Sequence, residues 1–268
     1  MSSSFKLTKA KILSTNYLNP DPWVSTTLIN SDINNTGNNS VFIDSSINNY
    51  GVIPSGLTGQ GTFSPFSQPD GYWSVKFNTN DDYLLFTTEG IGNLEFTAEC
   101  WIYLNSIDFS GGGTIFNVSQ NANGGDLGIS IGSPNGISVE GFYFYSKGWT
   151  APENWQINKW YHIAYSRDFN GNATFFVNGV SCGVQTDSYG YSCAGGMGGY
   201  HHASPPVGSN GGSIIGYISN ARIVIGNIVY DPNQPTIEVP KTPLKLIDDT
   251  KMLVCQSNTF KDNSYSVT

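Results

Sequence analysis

Few acidic side chains in this sequence are spaced for catalysis by a pair of carboxylates. Glycoside hydrolysis uses two carboxyl groups about 5–9.5 Å apart. Glu95 and Glu99, in LEFTAEC, point to the same face of one predicted strand. Four residues at about 3.3 Å each place their backbones about 13 Å apart, which is too far. Asp81 and Asp82 are adjacent and point to opposite faces. The spacing therefore predicts no catalytic residue and no enzyme, with a pair across two strands left open.

Histidines and cysteines are the other residues that could act as base, nucleophile or metal ligand. His162 lies in a predicted strand, where we interpret it as a packed or hydrogen-bonded histidine. Cys182, Cys193, His201 and His202 follow one another in a Gly-rich stretch. Their spacing, C-x10-C-x7-H-H, matches no familiar zinc pattern. We expect reduced thiols, with a bond between Cys182 and Cys193 left open.

Flat aromatic side chains beside polar residues could contact a carbohydrate. Such rings offer a large surface and, in Tyr and Trp, a polar tip, and they lose little entropy on binding. The candidates lie in KGWTAPENW at 147–155 and in the Gly-rich stretch 183–213. They are Trp149, Trp155, Tyr189, Tyr191 and Tyr200. An alternative role for these rings is to seal one end of the fold or to contact a neighbouring subunit.

Short strands joined by tight turns must position these residues. The chain has 31 Gly and 13% aromatic residues, and only 12% are charged, about half of the usual quarter. Alternating runs such as YWSVKF (72–77), FTAECWIY (96–103) and WYHIAYS (160–166) predict half-buried antiparallel strands. No stretch carries a sustained helical period. The sequence therefore predicts an all-β, antiparallel two-sheet sandwich.

Turns and buried positions follow from the same pattern. Asn-Gly pairs in RDFNGNA (167–173) and VNGV (177–180) predict hairpins, because the central residues of such turns take positive φ. Trp101 and Trp160 lie in alternating strands, and we expect both to be largely buried in the sandwich.

The stretch INKWYHIAYSRDFNGNATFFVNGV (157–180) resembles the laminin-G-like domains of the concanavalin A-like lectin and glucanase superfamily. Those domains carry a tryptophan–histidine strand, a basic–acidic turn and a strand ending in Asp-Gly or Asn-Gly. VKFNTNDDYLLF (75–86) and FTAECWIY (96–103) stand where the family places two further strands, with Asn78 in place of the usual Gly or Asp. The resemblance implies a jelly-roll sandwich, which we expect over residues 23–268.

The resemblance also implies a calcium ion at the rim of the sandwich. Many laminin-G-like domains hold one Ca²⁺ with Asp or Asn side chains and loop carbonyls, and Ca²⁺ takes six to eight oxygen ligands. Calcium is the one cofactor that we expect, and the alternative is that these carboxylates support turns. The carboxylates at predicted loops or strand ends are Asp81, Asp82, Asp126 and Asp187.

A narrower resemblance covers nearly the whole chain beyond residue 25. FIDSSINNY (42–50), GYISNARIVIGNIVY (216–230) and LVCQSNTFKDNS (253–264) look like segments of laminin-G-like virion proteins of tailed, notably marine, bacteriophages. This resemblance implies a capsid decoration, a tail fibre or an adhesin that meets host glycans, although the fold alone does not fix a function. The alternative is a calcium-dependent module that binds or degrades carbohydrate.

A basic arm, residues 1–22, precedes an acidic body. After the lysines of the first eleven residues, no Lys or Arg follows until Lys76, whereas the net charge is −8. This acidity disfavours nucleic acid as a partner, because nucleic acid needs a basic face. We expect the arm to dock on other virion proteins through Phe5, Lys6, Leu7, Lys9, Lys11, Ile12 and Leu13.

Location and partners follow from these expectations. No apolar run is long enough to span a bilayer, and the N-terminus lacks the apolar core of a secretory signal. We expect no membrane insertion and a protein that is assembled into virions in the host cytoplasm and released by lysis. The expected partners are other virion proteins, cell-surface glycans and further copies of the chain in a homo-oligomer.

Overall fold

The computed structural model of the chain describes most residues from 73 to 256 and short pieces before them. Within those ranges, no helix is long and apolar enough to cross a membrane. The arm, residues 1–22, lies outside the described residues, so its docking stays a prediction. The described ranges are 48, 51–55, 59–61, 63–66, 73–79, 82–86, 88–110, 113–117, 127–141, 146–192, 196–198 and 212–256.

Sixteen strands lie in these ranges. In chain order they are β1 Ile53–Ser55, β2 Gly59–Gly61, β3 Ser74–Phe77, β4 Tyr83–Leu85, β5 Phe96–Leu104, β6 Thr114–Asn117, β7 Gly128–Gly132, β8 Gly136–Glu140, β9 Ser146–Thr150, β10 Trp160–Arg167, β11 Asn172–Val177, β12 Val180–Ser181, β13 Gln185–Thr186, β14 Gly196–Gly198, β15 Gly216–Ile225 and β16 Thr250–Val254.

The strands form two antiparallel sheets. The seven-stranded sheet has the order β1-β4-β14-β6-β7-β8-β9. The nine-stranded sheet has the order β12-β11-β10-β5-β15-β3-β2, with β13 beside β11 and β16 beside β15. Neighbouring strands are often far apart in the chain, as the connections of a jelly roll require. The prediction of an all-β, antiparallel two-sheet sandwich is confirmed.

One apolar core fills the space between the sheets. On β5, alternate residues from Phe96 to Leu104 are completely buried and belong to this core. Ile129 and Ile131 of β7 contribute to the same core from the other sheet. Each large apolar side chain of this set, such as Phe96 or Ile102, stabilises the fold by about 1.5–3 kcal/mol when it leaves water. The remaining residues of each strand point to the outer faces.

Two tryptophans lie on the outer face, where we did not expect them. Trp101 and Trp160 are only partly buried, and neither belongs to the core between the sheets. The inward positions of β5 are taken by Cys100 and Ile102, so Trp101 points away from the core. The prediction is therefore wrong about the place of both rings, which are partly buried on the outer face and not packed inside the sandwich.

Both predicted hairpins are present. Asn178 and Gly179 have φ of 49° and 82°, so both central residues of the turn between β11 and β12 take positive φ. Between β10 and β11, Gly171 has φ of 80° and the side chain of Asp168 holds the turn. Its Oδ1 accepts hydrogen bonds from the backbone amides of Asn170 and Asn172, each at 2.9 Å.

Residues 227–248, which we call the strap, cover part of the outer face of the nine-stranded sheet. The backbone amide of Val229 donates to Thr97 Oγ1 at 2.9 Å, which ties the strap to β5. The Leu244 amide donates to Asn220 Oδ1 at 2.9 Å, which ties it to β15. Because of the strap, some outward-facing side chains of this sheet are removed from solvent.

Candidate functional site

A groove of about 820 Å³ lies on the outer face of the seven-stranded sheet. Its floor is formed by β7 and β8 and ends at Gly148 on β9. One wall is the loop 107–110, which follows β5. The strands fix the floor, whereas the loop brings the larger side chains that border it.

The groove exists because the outward residues of its floor are small. Thr114 of β6 pairs with Ser130 of β7, which pairs with Ser138 of β8, which pairs with Gly148 of β9. Paired residues share one face of a sheet, so these four positions form one row across the floor. A Cβ atom added at Gly148 would meet no atom within 4 Å, so this end of the row is open.

Two carboxylates border this row. Asp108 Oδ1 accepts a hydrogen bond from the Ser110 amide at 3.0 Å, and the Asp108 amide donates to Ser106 Oγ at 3.1 Å. The hydrogen bonds from Ser110 lower the pKa of Asp108, which favours its ionised form. Glu140 Oε1 accepts a hydrogen bond from Ser138 Oγ at 3.0 Å. The groove therefore presents hydrogen-bond acceptors and hydroxyl groups side by side.

Apolar side chains complete the wall. Phe109 is half-buried and Ile107 is 44% exposed, and both line the groove. A floor of hydroxyls and glycine, carboxylate acceptors and an apolar wall together suit a ligand that is rich in hydroxyl groups and has apolar C–H faces. This is the chemistry that the arrangement can provide.

The two tryptophans predicted to contact carbohydrate pack in the core. Trp149 is 6% exposed and its Nε1 donates to the Gly183 carbonyl at 2.8 Å. Trp155 is 3% exposed and its Nε1 donates to the Gly136 carbonyl at 3.0 Å. Trp149 is among the residues that line the groove, but rings this buried offer little surface to a sugar, so the expectation for Trp149 and Trp155 is corrected to a packing role. Trp149 supports the floor of the groove from below.

The predicted tyrosines belong to a hydrogen-bonded cluster around Asp187. The Tyr165 and Tyr191 hydroxyls donate to Asp187 Oδ2 at 2.5 and 3.0 Å, and the Tyr189 amide donates to Oδ1 at 3.0 Å. Tyr191 is completely buried and Tyr189 is partly buried. Tyr191 is therefore corrected to a structural residue, while Tyr200 lies outside the described residues.

Two of the four predicted calcium ligands have a structural role. Asp187 is completely buried and holds the three donors described above, and this arrangement does not fit a rim ligand. Asp82 is also completely buried, and it accepts hydrogen bonds from the Asn78 and Thr79 amides, as a residue that holds a turn does. Among the described residues, no group of three His, Cys, Asp or Glu could hold a metal ion.

The other predicted ligands lie outside the described residues. Asp81 and Asp126 are the remaining two expected calcium ligands, so a calcium site that includes them stays a prediction. Cys193, His201 and His202 also lie outside, so the pairing or metal binding considered for them likewise stays a prediction.

Glu99 lies at the centre of a buried polar cluster that sequence analysis missed. It is completely buried, its Oε1 accepts from Arg222 Nη2 at 2.5 Å, and its Oε2 accepts from the Tyr230 hydroxyl at 2.8 Å. His162 Nε2 lies 3.1 Å from Oε2, which confirms the interpretation of His162 as a hydrogen-bonded strand histidine. Burial raises the pKa of Glu99, but the His162 hydrogen bond and the Arg222 charge outweigh it and lower the pKa.

The groove residues were missed for a different reason. GISIG and GISVE, which form β7 and β8, were not recognised as the floor of a groove. The available indication is that each strand places a Ser between two β-branched apolar residues, because small outward residues leave space above a sheet. Nothing in the sequence indicated Asp108 and Glu140, since they are 32 residues apart and only the fold brings both to the groove.

A laminin-G family profile matches residues 78–223, which are more than half of the chain. The profile is described as the concanavalin A-like lectin/glucanases superfamily. The matched range contains the groove floor, its wall and the Glu99 cluster except for Tyr230. A comparison with curated proteins finds no match.

Several solved structures are similar to this chain at low identity. Domain 4 of AbnA, a GH43 extracellular arabinanase from Geobacillus stearothermophilus in complex with arabinotriose, is 15% identical with a TM-score of 0.44, and the alignment covers 68% of this chain and 80% of that one. A native heptameric SAP-like pentraxin from Limulus polyphemus is 15% identical with a TM-score of 0.41, covering 75% and 95%.

A structure of botulinum neurotoxin type C, whose cell entry depends on interaction with two ganglioside molecules, is 15% identical with a TM-score of 0.43. The alignment covers 66% of this chain and 43% of the neurotoxin chain, so the chain spans less than half of that protein. On the profile match, the chain belongs to the concanavalin A-like lectin/glucanases superfamily.

Proposed function

We propose that the protein is a non-enzymatic virion protein of a tailed phage whose sandwich binds a glycan in the groove of the seven-stranded sheet. The single observation that carries the glycan part is the composition of this groove. Its floor row of Thr114, Ser130, Ser138 and Gly148 has small side chains and is open at the Gly148 end, and carboxylate acceptors border it. Membership of a superfamily named for lectins and glucanases supports a glycan as the class of ligand.

The charges in the groove narrow the class of glycan. Asp108 has a lowered pKa and is ionised at neutral pH, and it lies at the margin of the floor. Carboxylates accept hydrogen bonds from sugar hydroxyls and repel sugar acids. A neutral glycan, or one with an amino sugar, is therefore the expected ligand of the groove.

One role of a glycosidase does not suit Asp108. The proton donor of a glycosidase needs a carboxyl group whose pKa is raised so that it can donate near neutral pH. The pKa of Asp108 is shifted in the opposite direction, so Asp108 does not suit the role of that proton donor. Glu99 is completely buried beneath the strap and forms an ion pair with Arg222, so it is withdrawn from any substrate.

Glycan binding is tested by filling the groove. Gly148→Tyr places a large side chain where an added Cβ meets no atom within 4 Å, so the fold is expected to accept it. On a glycan array, the wild type should bind at least one neutral glycan and the variant should lose that signal. Lys241→Tyr, at a side chain 82% exposed and outside the groove lining, is the matched control and should bind normally. Equal binding by all three proteins would contradict the proposal.

The virion role is tested separately, in particles. Deleting residues 2–20 should abolish incorporation into virions but leave the sandwich folded. Changing Lys6, Lys9 and Lys11 to Gln should weaken docking mildly and reduce its salt dependence, because exposed charge pairs contribute only about 0–1 kcal/mol each. Full incorporation of the truncated protein would show that the arm is not the anchor.

A further inference from the structure

The outer face of the nine-stranded sheet carries a row of three aromatic rings. Trp160 of β10 pairs with Tyr103 of β5, and Tyr103 pairs with Tyr217 of β15. We call these three residues the aromatic row. Strands lie about 4.8 Å apart, so the row extends about 10 Å across the sheet. Tyr217 pairs in turn with Lys76 of β3, which ends the row with a cation.

The rings are packed against one another and remain partly accessible. The Tyr103 centroid lies 5.4 Å from that of Trp160 and 6.0 Å from that of Tyr217. Phe63 packs against all three rings, with centroid distances of 4.7 to 5.3 Å, and is 42% exposed, so it shares with the row the aromatic surface that a ligand would meet. Contacts of this kind hold the rings in place, so a ligand would meet a surface that is already ordered.

The row differs from the groove in charge. Lys76 is exposed, its Nζ lies 5.9 Å from the Tyr217 ring, and it forms no ion pair with any residue in the described ranges. None of the paired residues in the row is acidic, although the chain carries a net charge of −8. The Tyr103 hydroxyl donates to Asn158 Oδ1 at 3.3 Å, which adds polar groups at the edge. An aromatic surface that ends in an exposed cation fits a ligand that has an apolar face and an anionic group.

We propose that the aromatic row and Lys76 form a second carbohydrate-binding site, specific for acidic glycans. Sugar rings have one apolar C–H face that can lie on the aromatic rings, and their hydroxyl rims can bond to the tyrosine hydroxyls and Asn158. A carboxylate or sulfate on the sugar would lie against Lys76. The site is on the opposite sheet from the groove, so it neither requires nor replaces the proposed function of the groove.

The test is a titration of the full chain with an alginate hexasaccharide, which is a polyuronate, and with a neutral β-glucan hexasaccharide. The wild type should bind the polyuronate more tightly than the neutral probe. Lys76→Gln should weaken polyuronate binding about threefold and reduce its salt dependence, since one exposed charge is lost. Trp160→Ala should weaken it about tenfold or more, because stacking on the aromatic row is lost.

Two control variants show whether binding occurs at the aromatic row. Lys241→Gln removes an exposed charge elsewhere, and Gly148→Tyr fills the groove, so both should bind the polyuronate as the wild type does. Lys76 is exposed, so its variant tests the site even if Trp160→Ala misfolds. Absence of polyuronate binding, equal binding of the neutral probe, or normal binding by Lys76→Gln would overturn the proposal. So would light scattering that shows Trp160→Ala converting an oligomer into monomers, because the row would then be an interface between copies.

Discussion

Strands of both sheets alternate between core residues and outward residues, but the outer face is open on one sheet and partly covered on the other. On the seven-stranded sheet, the outward positions of β7, β8 and β9 are Ser130, Ser138 and Gly148, and an open groove lies above them. On the nine-stranded sheet, the outward Glu99 and Arg222 are large and charged, yet both are buried. Strand patterning decides which residues leave the core, but what covers a face decides whether they meet solvent.

The strap, residues 227–248, causes this difference because it covers Glu99 and Arg222 on the outer face of the nine-stranded sheet. Tyr230 of the strap donates to Glu99, and the Lys245 carbonyl accepts a hydrogen bond from Arg222 Nη1 at 2.7 Å. A buried charge is costly unless it is paired and hydrogen-bonded, so the strap and the Glu99 cluster depend on each other. The covered part of this face therefore stabilises the fold, whereas the groove is free to bind a ligand.

The largest expected effect on stability comes from removing the charge of Glu99 in the buried polar cluster. Glu99→Gln leaves the buried Arg222 without its counter-charge and should lower the free energy of unfolding by about 3–5 kcal/mol. Urea titration of the variant and the wild type measures the change. Glu95→Gln, at a partly exposed site on the same stretch, should change stability by less than about 0.5 kcal/mol. Equal midpoints for the two variants would contradict the role of the cluster.

The same carboxylate predicts a pH dependence. The pKa of Glu99 in the folded protein lies below its ordinary value of 4.5, so the ionised group stabilises the fold above that pH. This contribution is lost as the pH falls through the lower pKa of the folded state. The difference in stability between the wild type and Glu99→Gln should therefore shrink in acid. A difference that stays constant or grows as the pH falls below 4.5 would show that the carboxylate is not ionised in the fold.

Substitutions of two tryptophans compare how much a core ring and an outer-face ring contribute to stability. Trp149 is almost completely buried below the groove, and Trp149→Ala should cost about 3–5 kcal/mol. Trp160 is partly exposed on the other sheet, and Trp160→Ala should cost about 1–2 kcal/mol. Thermal and urea unfolding of both variants would measure this order. A larger loss for Trp160 would mean that its side of the sheet is also covered.

The smallest effects on stability are expected in the groove. Asp108→Asn and Glu140→Gln change carboxylates at its margin and should each alter the free energy of unfolding by less than about 0.5 kcal/mol. Both variants should bind the array glycan more weakly, because a carboxylate acceptor is lost. Reducing-sugar assays with that glycan should detect no hydrolysis by the wild type. Hydrolysis that either substitution removes would make the protein a glycosidase.

The sequence predicted the strands and the hairpins because both depend on local patterns. Alternation and Asn-Gly pairs are patterns that span only a few residues, and Asn178 has the positive φ that its turn was expected to require. The sequence did not show which side of each strand points to the core, and Trp101 is an example. A large ring at an alternating position is equally compatible with either face, and only pairing with neighbouring strands selects one.

The candidate sites could not be predicted because they depend on contacts between distant strands. Arg222 reaches Glu99 only because β15 bulges at Asn220, whose φ is 51°. An asparagine inside an apolar strand does not by itself indicate a bulge. The outward residues of the groove floor are Ser, Thr and Gly, types that are also typical of turns, so their composition did not distinguish a groove from a turn. The large aromatic residues Trp149 and Trp155 were predicted to contact carbohydrate, although they pack beneath the groove.

The most direct test of the groove as the binding surface is a crystal structure of the protein with the neutral glycan that binds best on the array. The account predicts the sugar above Ser130, Ser138 and Gly148, with hydroxyl groups bonded to Asp108 or Glu140. Density for that glycan on the outer face of the nine-stranded sheet, or at the rim with the groove empty, would contradict it.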